Sequence, residues 1–247
     1  MRTNFQQSLA FGFSVICKVR FFFIGALVSG LLAFDCSVFA GSITGRVIVE
    51  IPSNNKAGSD TDEYDSRRYK FLEKVDYSKF RDFIVSIEGA DVALEENDKR
   101  PQAAVSQKNG RFVPRILAIS KGTEVSWPNR DAIFHNVFSM SETESFDLGY
   151  YKNTDEPKKI VFDKTGRVDV FCSIHADMTC VVLVLPNPWF AKTDKKGEFT
   201  IEGIPAGSYR LKVWHERLPV KHLDVVVDEN ADTEVEIAMG FGALPKI

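Results

Sequence analysis

Histidine, cysteine and methionine are all scarce, with four of each among 247 residues. The sequence contains no Cys-x-x-Cys-His, which excludes the usual covalent haem attachment. It also lacks an excess of charge of either sign. The formal net charge of −3 argues against a nucleic-acid binder, which would carry a basic stripe. Long apolar runs are missing as well. The longest, Phe21 to Phe34, is about 14 residues, shorter than the roughly 20 a helix needs to cross a bilayer. Finally, the chain after Gly41 has little helical periodicity, so a helical fold is not expected.

What the amino-terminal segment does contain is informative. Lys18 and Arg20 precede the short apolar run, and Val38-Phe39-Ala40 follows it as a small-residue cleavage pattern. Together these read as a secretory signal over residues 1–40, and hence export to a periplasm-type compartment. An uncleaved membrane anchor is the alternative. Removal of residues 1–40 makes the chain more acidic, because Arg2, Lys18 and Arg20 leave with only Asp35. It also leaves Cys172 and Cys180 as the sole cysteines, which could form one disulfide in an oxidising compartment.

Beyond Gly41 the pattern is one of short strands separated by turn residues. Ser42–Glu50 and Phe83–Leu94 alternate and are β-branched, and Phe112–Ala118, Glu124–Trp127, Asn136–Ser139, Lys159–Phe162 and Val168–Cys172 continue the series. Thr179–Leu185 is apolar throughout, as expected of a strand covered on both faces. Lys108-Asn109-Gly110, Lys121-Gly122, Pro128-Asn129 and Lys164-Thr165-Gly166 punctuate them. Many short strands at near-regular spacing imply an all-β protein built from sandwiches or barrels. The exception is Ser53 to Arg81, which is polar and charged and reads as an exposed excursion with a short helix near Tyr77–Phe83.

Pro186-Asn187-Pro188 marks a boundary before a tail of further strands, including Val225–Val227 and Glu234–Ala238. That tail, 187–247, is too small to bury much core alone. The strands of an amino-terminal segment, 41–99, are candidates to complete it, which would make the region 100–186 an insertion.

The chemistry concentrates in Cys172-Ser-Ile-His175-Ala-Asp-Met178. A thiolate, two imidazoles and a weak thioether suit an ion that changes between Cu(I) and Cu(II). Three of these ligand types lie within seven residues, a spacing suited to one loop around one ion. Alternation of Val168, Val170 and Cys172 places the sulfur on an interior face. The remaining imidazole is expected from His135, the one histidine upstream of Cys172, with Asn136 beside it to hold the loops. The metal ligands expected are therefore His135, Cys172, His175 and Met178, and the ion is a single copper.

Other readings of the same residues remain. A Cys172–Cys180 disulfide would consume the thiolate, although Cys180 reads better as a small apolar core residue. Zinc in a structural site has little use for methionine. A nucleophilic Cys172 with His175 as base lacks an oxyanion arrangement. His215 and His222, in the tail, read as surface or turn residues. Four histidines are too few for an enzyme with several copper centres.

The region 100–186 resembles the cupredoxins, the small blue copper proteins, in motif content and order. Its Asp-x-x-x-His-Asn-Val followed by Cys-x-x-His-x-x-Met is similar to the amicyanin form of the ligand loop, although no proline lies inside that loop here. The tail, with Thr193-Asp194, Gly197-x-Phe199, Pro205-x-Gly207-x-Tyr209 and Trp214-His-Glu, resembles a carboxypeptidase regulatory-like sandwich of transthyretin type. The combination looks like bacterial plastocyanin-like proteins labelled methylamine utilisation proteins. The resemblance implies a cupredoxin Greek-key sandwich plus a second, small immunoglobulin- or transthyretin-like sandwich. It further implies a periplasmic one-electron carrier, not an enzyme, whose partner is a redox protein such as a dehydrogenase or a c-type cytochrome. A copper chaperone or store, and a cell-envelope module with structural copper, are the alternatives.

Overall fold

A computed structural model describes residues 40–50, 80–89, 100–229 and 231–240 of the chain. The expected signal segment up to residue 39, most of the charged excursion and the end of the Phe83–Leu94 strand lie outside these residues, while Ala40, the last residue of that expected segment, opens the first strand. The described residues are all-β. In chain order the strands are β1 (Ala40–Val49), β2 (Ile84–Glu88), β3 (Gln102–Ala104), β4 (Ser106–Gln107), β5 (Phe112–Val113), β6 (Ile116–Ser120), β7 (Thr123–Trp127), β8 (His135–Met140) and β9 (Ser145–Tyr151). They continue with β10 (Lys158–Phe162), β11 (Gly166–Phe171), β12 (Thr179–Leu185), β13 (Phe190–Lys192), β14 (Glu198–Pro205), β15 (Gly207–His215), β16 (Leu218–Val227) and β17 (Asp232–Met239).

Two differences from the sequence reading stand out. Phe80 to Phe83, the described part of the expected short helix, is not helical; Phe83 points into the tail's core and β2 begins at Ile84. The expected Phe112–Ala118 strand is split into β5 and β6 around a cis Val113–Pro114 bond. Proline cannot donate to a ladder, so a break there is the physical result.

The first sandwich packs a five-stranded sheet, ordered β6-β12-β11-β8-β9, against a three-stranded sheet, β10-β7-β3. Its core holds Val125, Trp127, Val137, Phe162, Val168, Val170 and Val182, all essentially buried. The second sandwich combines sheets β14-β1-β17 and β13-β2-β15-β16. Here β1 runs antiparallel to β14 and parallel to β17, while β2 pairs with β13 and β15. The amino-terminal strands thus sit inside the tail's two sheets, and the first sandwich is inserted between β2 and β13.

A third apolar cluster joins the two. Alternate residues of β12 point opposite ways, as the period of a strand requires. Cys180, Val182 and Val184 enter the first core, whereas Val181, Leu183 and Leu185 meet Ile116 from β6 and Ile84 and Trp214 from the tail. Burial of both faces explains why Thr179–Leu185 has no polar side. Arg115 and Glu216 form a two-point salt bridge across the same junction. The connecting Asn187 is 1% exposed and donates to the Ile87 carbonyl at 2.9 Å.

Candidate metal centre

The centre is built where three strands end together. β11 delivers Cys172 immediately after Phe171, β12 resumes at Thr179, and β8 begins with His135 on the neighbouring strand. The intervening loop closes on itself: the Cys172 amide donates to the Met178 carbonyl at 3.2 Å, and the Met178 amide to the His175 carbonyl at 3.0 Å. Val168 and Val170 are fully buried and Cys172 is 5% exposed, so the alternation along β11 turns the sulfur inward.

Donor atoms of His135, Cys172 and His175 all lie within 4.8 Å of one another. His135 Nδ1 is 3.0 Å from His175 Nδ1, and the Cys172 sulfur is 3.7 Å from that same His175 nitrogen. The two rings are 4.7 Å apart, inclined at 60°. His135 is fully buried and His175 partly exposed, so only one imidazole reaches the surface. Met178 is fully buried in the core cluster that also holds Cys172.

Chemically, the arrangement suits a soft metal ion. Trigonal ligation with bonds of about 2.0 Å to nitrogen and 2.3 Å to sulfur puts donors roughly 3.5–3.8 Å apart. The 3.7 Å separation falls within that spacing, and the 3.0 Å one lies about half an ångström below it. Two imidazole nitrogens facing each other can otherwise share just one proton. The residues present therefore fit the group that the sequence implies.

Neighbouring polar side chains brace the ligands. Asn136 is 3% exposed, and its Oδ1 accepts from both the Ser173 amide (2.7 Å) and the Ser173 hydroxyl (2.9 Å), tying β8 to the ligand loop. Tyr150 and Ser173 share a further hydroxyl contact at 2.8 Å. On the far side of the His135 ring, Nε2 lies 2.9 Å from Asp131 Oδ2. Burial alone would raise the Asp131 carboxyl; amide donation from Gly110 and Asn109, together with His135, outweighs it and holds the group below its ordinary value. Asp131 stands in the sequence motif four residues before His135, but its contact with the ring is not readable from spacing alone.

The other cysteine is a different case. Cys172 and Cys180 are both free thiols, so the disulfide reading is set aside. Burial pushes the Cys180 thiol far above its ordinary value, as expected of an apolar core residue. Of the tail histidines, His222 is exposed, as the sequence reading has it, and lies 3.2 Å from Glu88. His215 departs from the surface reading. It is 7% exposed, stacked near Phe80 and Phe83, and accepts from the Arg217 amide at 3.1 Å. The alternation that ends β15 turns it inward.

The fold and the centre together describe an all-β protein carrying a His-Cys-His cluster at one end of a sandwich. Comparison with known proteins adds the following. No curated protein matches the chain. A family described as polysaccharide lyase family 4, domain II, matches residues 189–235, about a fifth of the length, where a carboxypeptidase regulatory-like tail was expected. Among solved structures, the chain is similar to a purple cupredoxin from Nitrosopumilus maritimus at 26% identity, with 34% of this chain and 99% of that chain covered and a TM-score of 0.30. Amicyanin from Paracoccus versutus matches at 20% identity, over 41% of this chain and 97% of that chain, with a TM-score of 0.32. A copper-containing nitrite reductase from Thermus scotoductus SA-01 matches at 25% identity and a TM-score of 0.33. This match covers 39% of the present chain but just a quarter of the reductase. At such TM-scores the likeness carries no weight for function, which rests on the geometry of the centre.

Proposed function

We propose that the protein is an exported one-electron carrier that holds a single copper ion through His135, Cys172 and His175, with Met178 as a weak axial ligand. The observation that supports this most strongly is the meeting of two imidazole nitrogens at 3.0 Å with a buried thiol 3.7 Å from one of them. A copper ion held there supplies a one-electron couple. A thiolate, two imidazoles and a thioether form the donor set associated with such electron-transfer sites.

The chain's own contribution is rigidity and access. Asn136 pins the ligand loop, and β11 and β12 fix its two ends, so the ligands need move little between oxidation states. Burial of Cys172 at 5% exposure keeps substrates from the sulfur, which favours a carrier over a nucleophilic enzyme. The partly exposed His175 offers the electron path to the surface. Ile174, Ile133 and Phe134, each about half exposed, lie next to the two histidines in sequence and supply an apolar contact. Small contacts of this kind suit transient redox encounters. The partner is accordingly a redox protein, a dehydrogenase or a c-type cytochrome. The amino-terminal signal pattern supports a periplasmic location.

The test is to load the purified mature chain with Cu(II) and record optical and paramagnetic spectra. A carrier shows an intense thiolate-to-copper band that bleaches reversibly on reduction and is lost in Cys172→Ser. Tight Cu(I) binding with no reversible couple would instead indicate a chaperone or store, and failure to bind copper at all would sink the proposal.

A further inference from the structure

The β4–β5 hairpin takes no part in the ligand set, yet its turn is aimed at the centre. Lys108 and Arg111 exchange backbone hydrogen bonds at 2.8 and 3.2 Å, which closes a two-residue turn at Asn109-Gly110. Both central residues have positive φ, 55° and 63°, the signature of a type I′ turn. Such a turn leaves the two central amides unused by the hairpin's own ladder. Here they converge on one carboxylate: Asn109 N donates to Asp131 Oδ1 at 2.7 Å and Gly110 N to Asp131 Oδ2 at 2.9 Å.

Asp131 is itself held from behind. Its amide donates to Asn129 Oδ1 at 2.8 Å, and Asn129 Nδ2 donates to the carbonyls of Ile133 and Tyr151 at 3.0 and 2.9 Å. The Arg130 amide donates to the Gln107 carbonyl at 2.8 Å, joining the same loop to β4. The carboxylate therefore has a fixed position, and Oδ2, beside the Gly110 amide, also faces His135 Nε2 at 2.9 Å.

We infer that Asp131, clamped by the Asn109-Gly110 turn, is a positioning residue that fixes His135 as the Nε2–H tautomer and keeps the Nδ1 lone pair directed at Cys172 and His175. An ionised carboxylate can only accept, so the nitrogen facing it must carry the proton. A neutral imidazole has one proton, which leaves Nδ1 as the free donor atom. The carboxylate also adds negative charge behind the ligand ring, which raises its basicity and favours the higher oxidation state of a bound ion. That last consequence depends on the copper-carrier reading, whereas the tautomer does not.

The experiment separates the two. Long-range proton–nitrogen NMR on metal-free, ¹⁵N-labelled protein reads the His135 ring directly. The wild type should show a protonated Nε2 and an unprotonated Nδ1; the opposite tautomer overturns the inference whether or not copper binds. Asp131→Ala should give a mixture of tautomers and lower Cu(II) affinity by about 10–100-fold, the usual effect of losing such an outer partner. Asp131→Asn keeps volume and one acceptor oxygen but not the charge, and serves if the alanine variant does not fold. It should lower Cu(II) affinity relative to wild type, and a folded Asp131→Asn protein with unchanged affinity would overturn the role given to the carboxylate charge. A folded Asp131→Ala protein with an unchanged ring and unchanged affinity would overturn the assignment.

Discussion

Replacing Asn136 by alanine is the most direct probe of how the ligand loop is held. Two hydrogen bonds disappear, those from the Ser173 amide and hydroxyl at 2.7 and 2.9 Å, together with the longer donation to Asp147 at 3.3 Å. Each ordinary hydrogen bond contributes about 1 kcal/mol net, and more where the abandoned group stays dry. Ser173 is exposed, so its freed amide recovers water and the upper figures do not apply. The buried Asn136 side chain leaves a small void in its place. The expected loss is thus about 2 kcal/mol from the two short bonds. For a domain of this size that lowers Tm by roughly 4–8 °C. Calorimetry gives the global number, and amide exchange at Ser173 gives the local one. The Ser173 amide should exchange far faster in the variant, while amides in the tail, such as Leu211, should slow or quicken only with the global stability. A Tm within about 1 °C of wild type, with Ser173 protection intact, would refute the claim that this side chain ties the loop to β8. Asp147→Ala removes the longest of the three bonds together with the Gly149 amide's donation to Asp147 Oδ1 at 2.9 Å, and leaves both Ser173 bonds in place, so Ser173 protection should survive it.

Three further outcomes can be checked. Hydrogen bonding to Arg115 depresses the Glu216 carboxyl, so its contribution is present above the ordinary carboxylate range and lost as pH falls through the lowered value; both partners are partly exposed, so it amounts to about 1 kcal/mol or less. Melting curves of wild type and Glu216→Gln should therefore differ near neutral pH and converge in acid, and a constant offset would count against the bridge. Trp214→Ala, which removes a 9%-exposed ring from the junction cluster, should cost about 3–5 kcal/mol and split one melting transition into two; a single transition shifted by under about 1 kcal/mol would mean the sandwiches are held elsewhere. Met178→Leu should retain copper and raise the reduction potential measured by voltammetry, and complete loss of copper affinity would remove Met178 from the ligand set.

Much of this was legible in the sequence because local pattern and long-range structure agree. Val168, Val170 and Cys172 alternate toward one face, and that face is the core. The unbroken apolar run at Thr179–Leu185 signalled a strand covered twice, and the second cover proved to be Ile84 and Trp214. His135 was identifiable because no other histidine precedes Cys172. What the pattern could not supply was geometry set by distant segments. β9 escaped notice because three of its seven residues face solvent and its alternation breaks at Gly149, where the pairing with β8 is irregular. The helix expected near Tyr77–Phe83 failed in its described part because Phe80 and Phe83 pack onto His215 and the tail core rather than along one helical face. His215 resembles a turn residue locally, and only pairing of β15 with β16 turns it inward. The Asn109-Gly110 turn was visible as a turn, but its target, more than twenty positions away, was not.

Because β12 is walled on both sides, the tail is a buttress of the metal centre and not an appendage. One end of that strand anchors the ligand loop at Thr179, and the other runs into Asn187, which is bolted to Ile87 of the tail. Load applied to the tail would reach the loop that carries Cys172, His175 and Met178 through that strand. Cutting the protein at Pro186 to isolate the first sandwich would strip one face of that strand to water, and the excised fragment would have to be given a new polar surface at Val181, Leu183 and Leu185 before it could stand alone.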